Sequence, residues 1–179
     1  QVGTDTTWKS FDIEHTAVGG IKTNGTLWTW GDCSARGLLG LNQNDTDRSS
    51  PTQVGTDTTW SQLTWGNTAG IAIKTDGTLW SWGYNKDGTL GHNDQVNRSS
   101  PTQIPGTTWS QVNGNQSNSF GALKTDGSMW VWGNGSYYGN LGLNVSTSTT
   151  PKLSSPTQIP GTYERIISQT RGFTVLKEP

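Results

Sequence analysis

The octet QVGTDTTW occurs twice, at residues 1–8 and again at 53–60, and it is the edge of a repeat that runs through the whole chain. Residues 8–22 align without gaps on 60–74, and both continue into almost the same words, TNGTLWTWG at 23–31 and TDGTLWSWG at 75–83. A third copy opens on WSQV at Trp109, takes one extra residue and reaches TDGSMWVWG at 125–133. A fourth starts at Tyr163 with YERIISQTRGFTVLK. The starts at 8, 60, 109 and 163 are 52, 49 and 54 residues apart. Such a period is in the range of propeller blades and longer than that of helical or leucine-rich repeats.

Within each unit, short runs rich in Val, Ile, Thr and Trp are separated by Gly, Asn, Asp and Pro, the pattern of strands and turns. The second unit predicts strands over 60–64, 70–75 and 78–82 and a short fourth around Gln103 and Ile104. Asp76-Gly77 reads as a two-residue hairpin turn. Pro51, Pro101 and Pro151 are expected at the start of the fourth strand, where an edge tolerates a missing N–H. The fold class that follows is all-β, a β-propeller of four-stranded blades. The units are expected at 8–59, 60–108 and 109–162, with 1–7 ending a preceding blade and 163–179 beginning a fourth.

Only 29% of the residues are hydrophobic, yet there are 10 tryptophans. Because an aromatic side chain buries on the order of 150–250 Å², a tryptophan layer between blades can replace aliphatic bulk. Trp28 and Trp30, Trp80 and Trp82, Trp130 and Trp132 each alternate with one other residue, so both rings of a pair share a strand face.

The phrases AIKTDGTLWSWG, GYNKDGTLG and SSPTQ resemble the repeat of the regulator of chromosome condensation family over almost the whole chain. Members that close their ring have seven blades, and they include an exchange factor for a nuclear GTPase, a plant ultraviolet-B photoreceptor and a secreted bacterial β-lactamase inhibitor. The resemblance implies a rigid disc whose loops bind another protein. It carries no residue roles across: the photoreceptor's Gly-Trp-Arg-His-Thr word is absent here.

Twelve Lys and Arg against thirteen Asp and Glu, a net charge of −1, lack the basic footprint of a nucleic-acid binder, so no nucleic-acid partner is expected. His15 and His92 occupy different repeat positions and suggest no catalytic pair, so no enzyme activity is expected; nor is a cofactor or a metal centre. Lys22, Lys74, Lys124 and Lys177 precede the hairpin turns and read as solvated strand ends. Arg48 and Arg98 read as loop anchors, and Cys33, the single cysteine, cannot pair within the chain. No apolar run is long enough to span a membrane. The candidate partner-binding residues are the non-repeating loop aromatics Trp65, Tyr84, Tyr137 and Tyr138, facing a protein or glycan.

Sequons at Asn24, Asn44, Asn97, Asn115, Asn134 and Asn144 are candidate glycosylation sites, and the Thr, Ser, Asn and Gly content suggests an extracellular or virion-surface setting. Gln1 does not read as a natural start. With about 3.4 units in a fold of 4 to 8 blades, two readings stay open: further blades of a longer chain complete the ring, or copies complete one another. The second would make the chain a structural subunit of a fibre or surface assembly, with exposed strand edges driving association.

Overall fold

The computed structural model describes all residues except 1–4, 15, 34–35, 136–140, 143–151, 170–171 and 178–179. It is all-β, with no helix among the described residues. Three four-stranded antiparallel sheets follow one another: β1 (Trp8–Glu14), β2 (Ala17–Lys22), β3 (Leu27–Gly31) and β4 (Arg48–Gln53); β5 (Trp60–Trp65), β6 (Ala69–Lys74), β7 (Leu79–Gly83) and β8 (Arg98–Ile104); β9 (Trp109–Gly114), β10 (Ser119–Lys124), β11 (Ser128–Asn134) and β12 (Lys152–Thr162). A two-stranded sheet, β13 (Arg165–Gln169) and β14 (Gly172–Leu176), begins a fourth. Strands pair in sequence order within each sheet, and β1, β5, β9 and β13 touch their counterparts in neighbouring sheets. This is radial blade packing, with the first strand of each blade innermost.

The core lies between blades rather than within one. Leu27, Leu38, Leu39 and Val54 of the first blade pack with Trp60, Trp65 and Trp82 of the second. Leu79, Leu90 and Ile104 of the second pack with Trp109, Phe120 and Trp132 of the third. The second tryptophan of the pair in the second and third blades hooks backwards onto the preceding blade: Trp82 Nε1 donates to Leu38 O at 2.8 Å and Trp132 Nε1 to Thr89 O at 3.0 Å. Gly40 and Gly91 leave room for those rings, since a Cβ at either would lie about 3 Å from the indole (2.9 Å at Gly40, 3.1 Å at Gly91).

The hairpin turns differ from the two-residue kind. Gly77 N donates to Lys74 O, Lys74 N to Thr78 O, and Gly77 alone in the loop has a positive φ, 76°. A two-residue turn with Asp-Gly at its centre requires φ > 0 at both positions; Asp76 is not among the positive-φ residues, so the loop is a three-residue one closed by a glycine bulge. The fourth strand also begins earlier than expected. Pro51 and Pro101 sit three residues inside β4 and β8, where Thr29↔Thr52 and Gly31↔Arg48, or Ser81↔Thr102 and Gly83↔Arg98, bracket a bulge. There the missing proline N–H breaks no ladder bond. Pro151 lies outside the described residues.

The word T-[DN]-G-[ST]-x-W encodes a relay. Asp76 Oδ1 accepts from Thr78 N (3.0 Å) and Oγ1 (2.7 Å), and Thr78 Oγ1 in turn accepts from Trp80 Nε1 (2.8 Å). Asn24, Thr26 and Trp28 repeat it, as do Asp126, Ser128 and Trp130. Hydrogen bonds from Thr78 and Ser128 hold the Asp76 and Asp126 carboxyls below their ordinary range.

Lys22, Lys74 and Lys124, before these turns, are not solvated strand ends, whereas Lys177 is exposed. Lys74 is 8% exposed; its ammonium lies 4.7 Å from the Trp60 ring centroid and 3.9 Å from that of Trp80, and bonds Asp57 at 2.8 Å. Lys22 sits in the same way between Trp8 and Trp28 and pairs with Asp5, and Lys124 between Trp109 and Trp130. Lys177 lies over Tyr163. The ring faces attract the cation, and that attraction explains why lysine recurs beside two tryptophans.

Candidate functional site

Antiparallel topology sends the loops after β1, β5 and β9, and the long loops after β3, β7 and β11, to one face of the disc. The tight hairpin turns and the blade connectors lie on the other. The long loops differ in sequence from unit to unit more than the third strands do, which read LWTWG, LWSWG and MWVWG, so this face carries much of the chain's individuality.

The loop after β7 is held from inside. Asn85, fully buried, donates to Asp94 through Nδ2 and accepts from Leu90 N at 2.8 Å, and its own N–H goes to Asn97 Oδ1. Arg98 grips Asp94 through two bonds of 3.0 and 2.8 Å, a bidentate pair of the strong kind, and lowers the Asp94 pKa to about 2. His92 Nε2 lies 2.9 Å from Ser81 Oγ, which itself donates to Leu90 O; burial, then the Arg98 charge, pushes the His92 pKa down to about 4. A serine committed to a carbonyl and a histidine held neutral make an anchor, not a nucleophile pair. Arg48 bonds the Gln43 side chain and Asp47 O. Between blades, Lys152 and Asn134 both reach Asp87.

On this scaffold Tyr84 is half-buried and the exposed Arg36 of the preceding blade stacks on it, 4.5 Å from its ring centroid. Near the axis, the inner strands are stapled by side chains: Asp12 accepts from Trp65 N (3.0 Å), Thr64 Oγ1 from Gly114 N (3.0 Å), and Asn113 Nδ2 donates to Ile166 O (2.9 Å). Gln111 clamps Ile166 through both its N–H and its carbonyl, each bond 3.0 Å. Asp12, Thr64, Trp65, Asn113 and Gly114 line an open polar depression of about 530 Å³. Burial pushes the Asp12 pKa up against the hydrogen bonds that favour its charge.

Trp65 is not a loop aromatic. It ends β5 at 3% exposure, edge-on to Trp82 and bonded through Nε1 to Asp12 O, because Gly19 of the first blade leaves a slot for its ring. Tyr137, Tyr138 and Asn144 lie outside the described residues, as does His15. Asn24, Asn44 and Asn97 are exposed. Asn115 is 5% exposed, its Oδ1 bonded to the N–H groups of Ser117 and Ser119; a glycan cannot be attached there in the folded chain. Asn134 is half-buried with its amide on Asp87. Cys33 is buried against Gln43 O and Asn44 O. Among the described residues, no three His, Cys, Asp or Glu side chains converge on a metal position, and no helix is long and apolar enough to cross a membrane. Sequence reasoning missed Arg36: its stacking partner lies one blade away, and only the ring geometry brings the two together.

The family profile described as the regulator of chromosome condensation (RCC1) repeat matches residues 24–73 and 76–116, a little over half of the chain. No curated protein sequence matches. Among solved structures, human WBSCR16 superposes with a TM-score of 0.78 at 20% identity, covering 96% of this chain and 45% of that one. Prp20p from Saccharomyces cerevisiae, described together with its binding properties to Gsp1p and histones, gives 0.73 at 18%, covering 87% and 39%. Yeast RCC1 (Prp20) bound to Kap60 gives 0.73 at 19%, covering 90% and 39%. The chain therefore spans less than half the length of these structures. The extracellular or virion-surface setting suggested by composition is overturned by these relatives, among them a yeast propeller described with its binding to histones; a Ser- and Thr-rich surface does not by itself set a compartment.

Proposed function

Because the chain belongs to the regulator of chromosome condensation repeat family, we propose that it is a non-catalytic binding module that presents a protein-docking face on the long-loop side of its disc. The observation that carries this reading is the contrast between a braced scaffold and a variable surface. Asn85, Asp94 and Arg98 fix the loop from within, while the Arg36–Tyr84 pair stands at its outside edge, and aromatic and arginine side chains dominate protein interfaces. Binding of purified histones and of Gsp1p, the partners named for the yeast relative, tests it by interferometry. Tyr84→Ala and Arg36→Glu are expected to weaken the productive interaction at least tenfold. Unchanged affinity in both variants, or no binding by the parent to either probe, overturns the docking face.

A second reading is favoured by the exposed apolar side chains at the two ends of the blade row, Phe11 (47%) and Ile13 (68%) on the first blade, Ile167 and Leu176 on the fourth. Leu63, the counterpart of Phe11 one unit on, packs against Gly19 of the preceding blade. The end faces are thus shaped for further blades, from the same chain or from a second copy. Native mass by light scattering, set against the denatured chain mass, separates the two sources; a lone 179-residue monomer with both faces solvated overturns the reading.

A further inference from the structure

At the rim between the first and second blades lies a groove of about 410 Å³ whose walls come from the end of β4 and the connector after it (Gln53, Asp57), the long loop after β3 (Asn42) and Trp60, Trp80 and Pro101 of the second blade. It exists because the connector after β4 is one residue longer than that after β8, with seven steps from Gln53 to Trp60 against six from Gln103 to Trp109. In the shorter connector, a Cβ on Gly106 would lie 3.6 Å from Trp109 Nε1, so the chain closes over the indole; around Gly55 of the longer one there is open space. Trp60 is 3% exposed, and its Nε1–H, like those of Trp8 and Trp109, is buried without a hydrogen-bond partner; among the described connectors, only the longer one before Trp60 leaves open space beside the ring. A buried donor left unpaired costs free energy that an acceptor placed beside it recovers.

Charge narrows the occupant. Lys74 already sits between Trp60 and Trp80 and is neutralised by Asp57, so the cationic position is filled. An anion would meet the Asp57 carboxylate. What remains is a neutral ligand offering hydroxyl donors to Asp57 and Gln53, an acceptor toward Trp60, and an apolar ring face toward Trp80 and Pro101. We propose that this groove binds a neutral saccharide, at a position separate from the docking face and independent of it.

The test is a titration of the intact chain with cellotriose, maltotriose and N,N′,N″-triacetylchitotriose, and in parallel with a neutral acetylated prolyl tripeptide amide, following the tryptophan indole N–H resonances. The expected result is a saturable shift of the Trp60 indole with at least one trisaccharide. Affinity should fall tenfold or more in Trp80→Ala, and also in Ser100→Trp, which fills the groove from an exposed position without removing a packed ring. Trp130→Ala, the same change one blade on, should leave binding intact. No saturable shift with any saccharide, a shift only with the peptide, or binding retained in Ser100→Trp overturns the proposal. Tyr84→Ala is expected to leave the saccharide titration unchanged, so failure at one site is distinguishable from failure at the other.

Discussion

A lysine sandwiched between two tryptophans and tied to a carboxylate behaves differently from one at a strand end. Lys74 has both ring contacts and Asp57, so Lys74→Met is expected to lower unfolding free energy by about 1–2 kcal/mol. Lys124 has the rings, and no carboxylate partner among the described residues, and the same change there should cost only about 0.5–1 kcal/mol; urea titration compares the two. The sequence points to a recurring lysine but not to its burial, because the carboxylate and the first tryptophan reach it from another strand and a connector. His92 gives a pH-dependent counterpart. Its folded pKa, about 4, lies below the ordinary 6.5, so the unfolded chain takes up the proton first, and stability falls as pH drops from about 6.5 toward 4. Discounted for solvent screening of a half-buried ring, the loss is on the order of 1 kcal/mol. His92→Leu, the residue found at the matching positions 41 and 143, should flatten that part of the stability profile.

At the level of elements, strand identity was readable and strand ends were not. Period-two alternation and the repeated tryptophans place the first three strands of the second blade to within a residue. The start of the fourth escapes, because a bulge around Pro51 or Pro101 lets the strand pair on both sides of a proline. Trp65 was misread for a similar reason: a residue at the end of an inner strand is exposed or buried according to the blade beside it, here through Gly19 and Asp12. Connector length also leaves a mark. Thr108, in the shortened connector, is forced to φ 69°, a conformation that costs a β-branched residue about 1–2 kcal/mol. Its side chain is exposed, so Thr108→Asn should recover about 0.5–1 kcal/mol and raise Tm by a few degrees.

Across the whole molecule, blades meet only their neighbours, and stability is expected to be a sum of unit and interface contributions. Gln111 alone supplies a donor and an acceptor to the buried Ile166 backbone. Gln111→Ala should therefore cost about 1–3 kcal/mol by orphaning the buried Ile166 N–H, while the Ile166 carbonyl keeps its bond from Asn113. Hydrogen exchange should show the loss of protection at the Ile166 amide, with the amides of β2 and β6 unaffected; protection lost evenly along the chain would mean that the blades unfold as one block. Ring architecture was legible in the sequence from its period. The inter-blade staples were not, since Asp12, Thr64 and Asn113 occupy one repeat position with three different side chains and share only their reach.

The backward hook of Trp82 onto Leu38 and of Trp132 onto Thr89 gives the disc a direction around its circumference. Each blade is lodged in the one before it, like shingles laid from one edge. Stripping units from the late end removes hooks and leaves the earlier blades' seats merely empty, whereas stripping from the early end lays bare a large indole and leaves its N–H without its carbonyl. Pulled from its two ends, the chain should resist unequally. Duplication or loss of a unit preserves the fit only when the cut falls between a glycine-rich loop and the tryptophan that answers it.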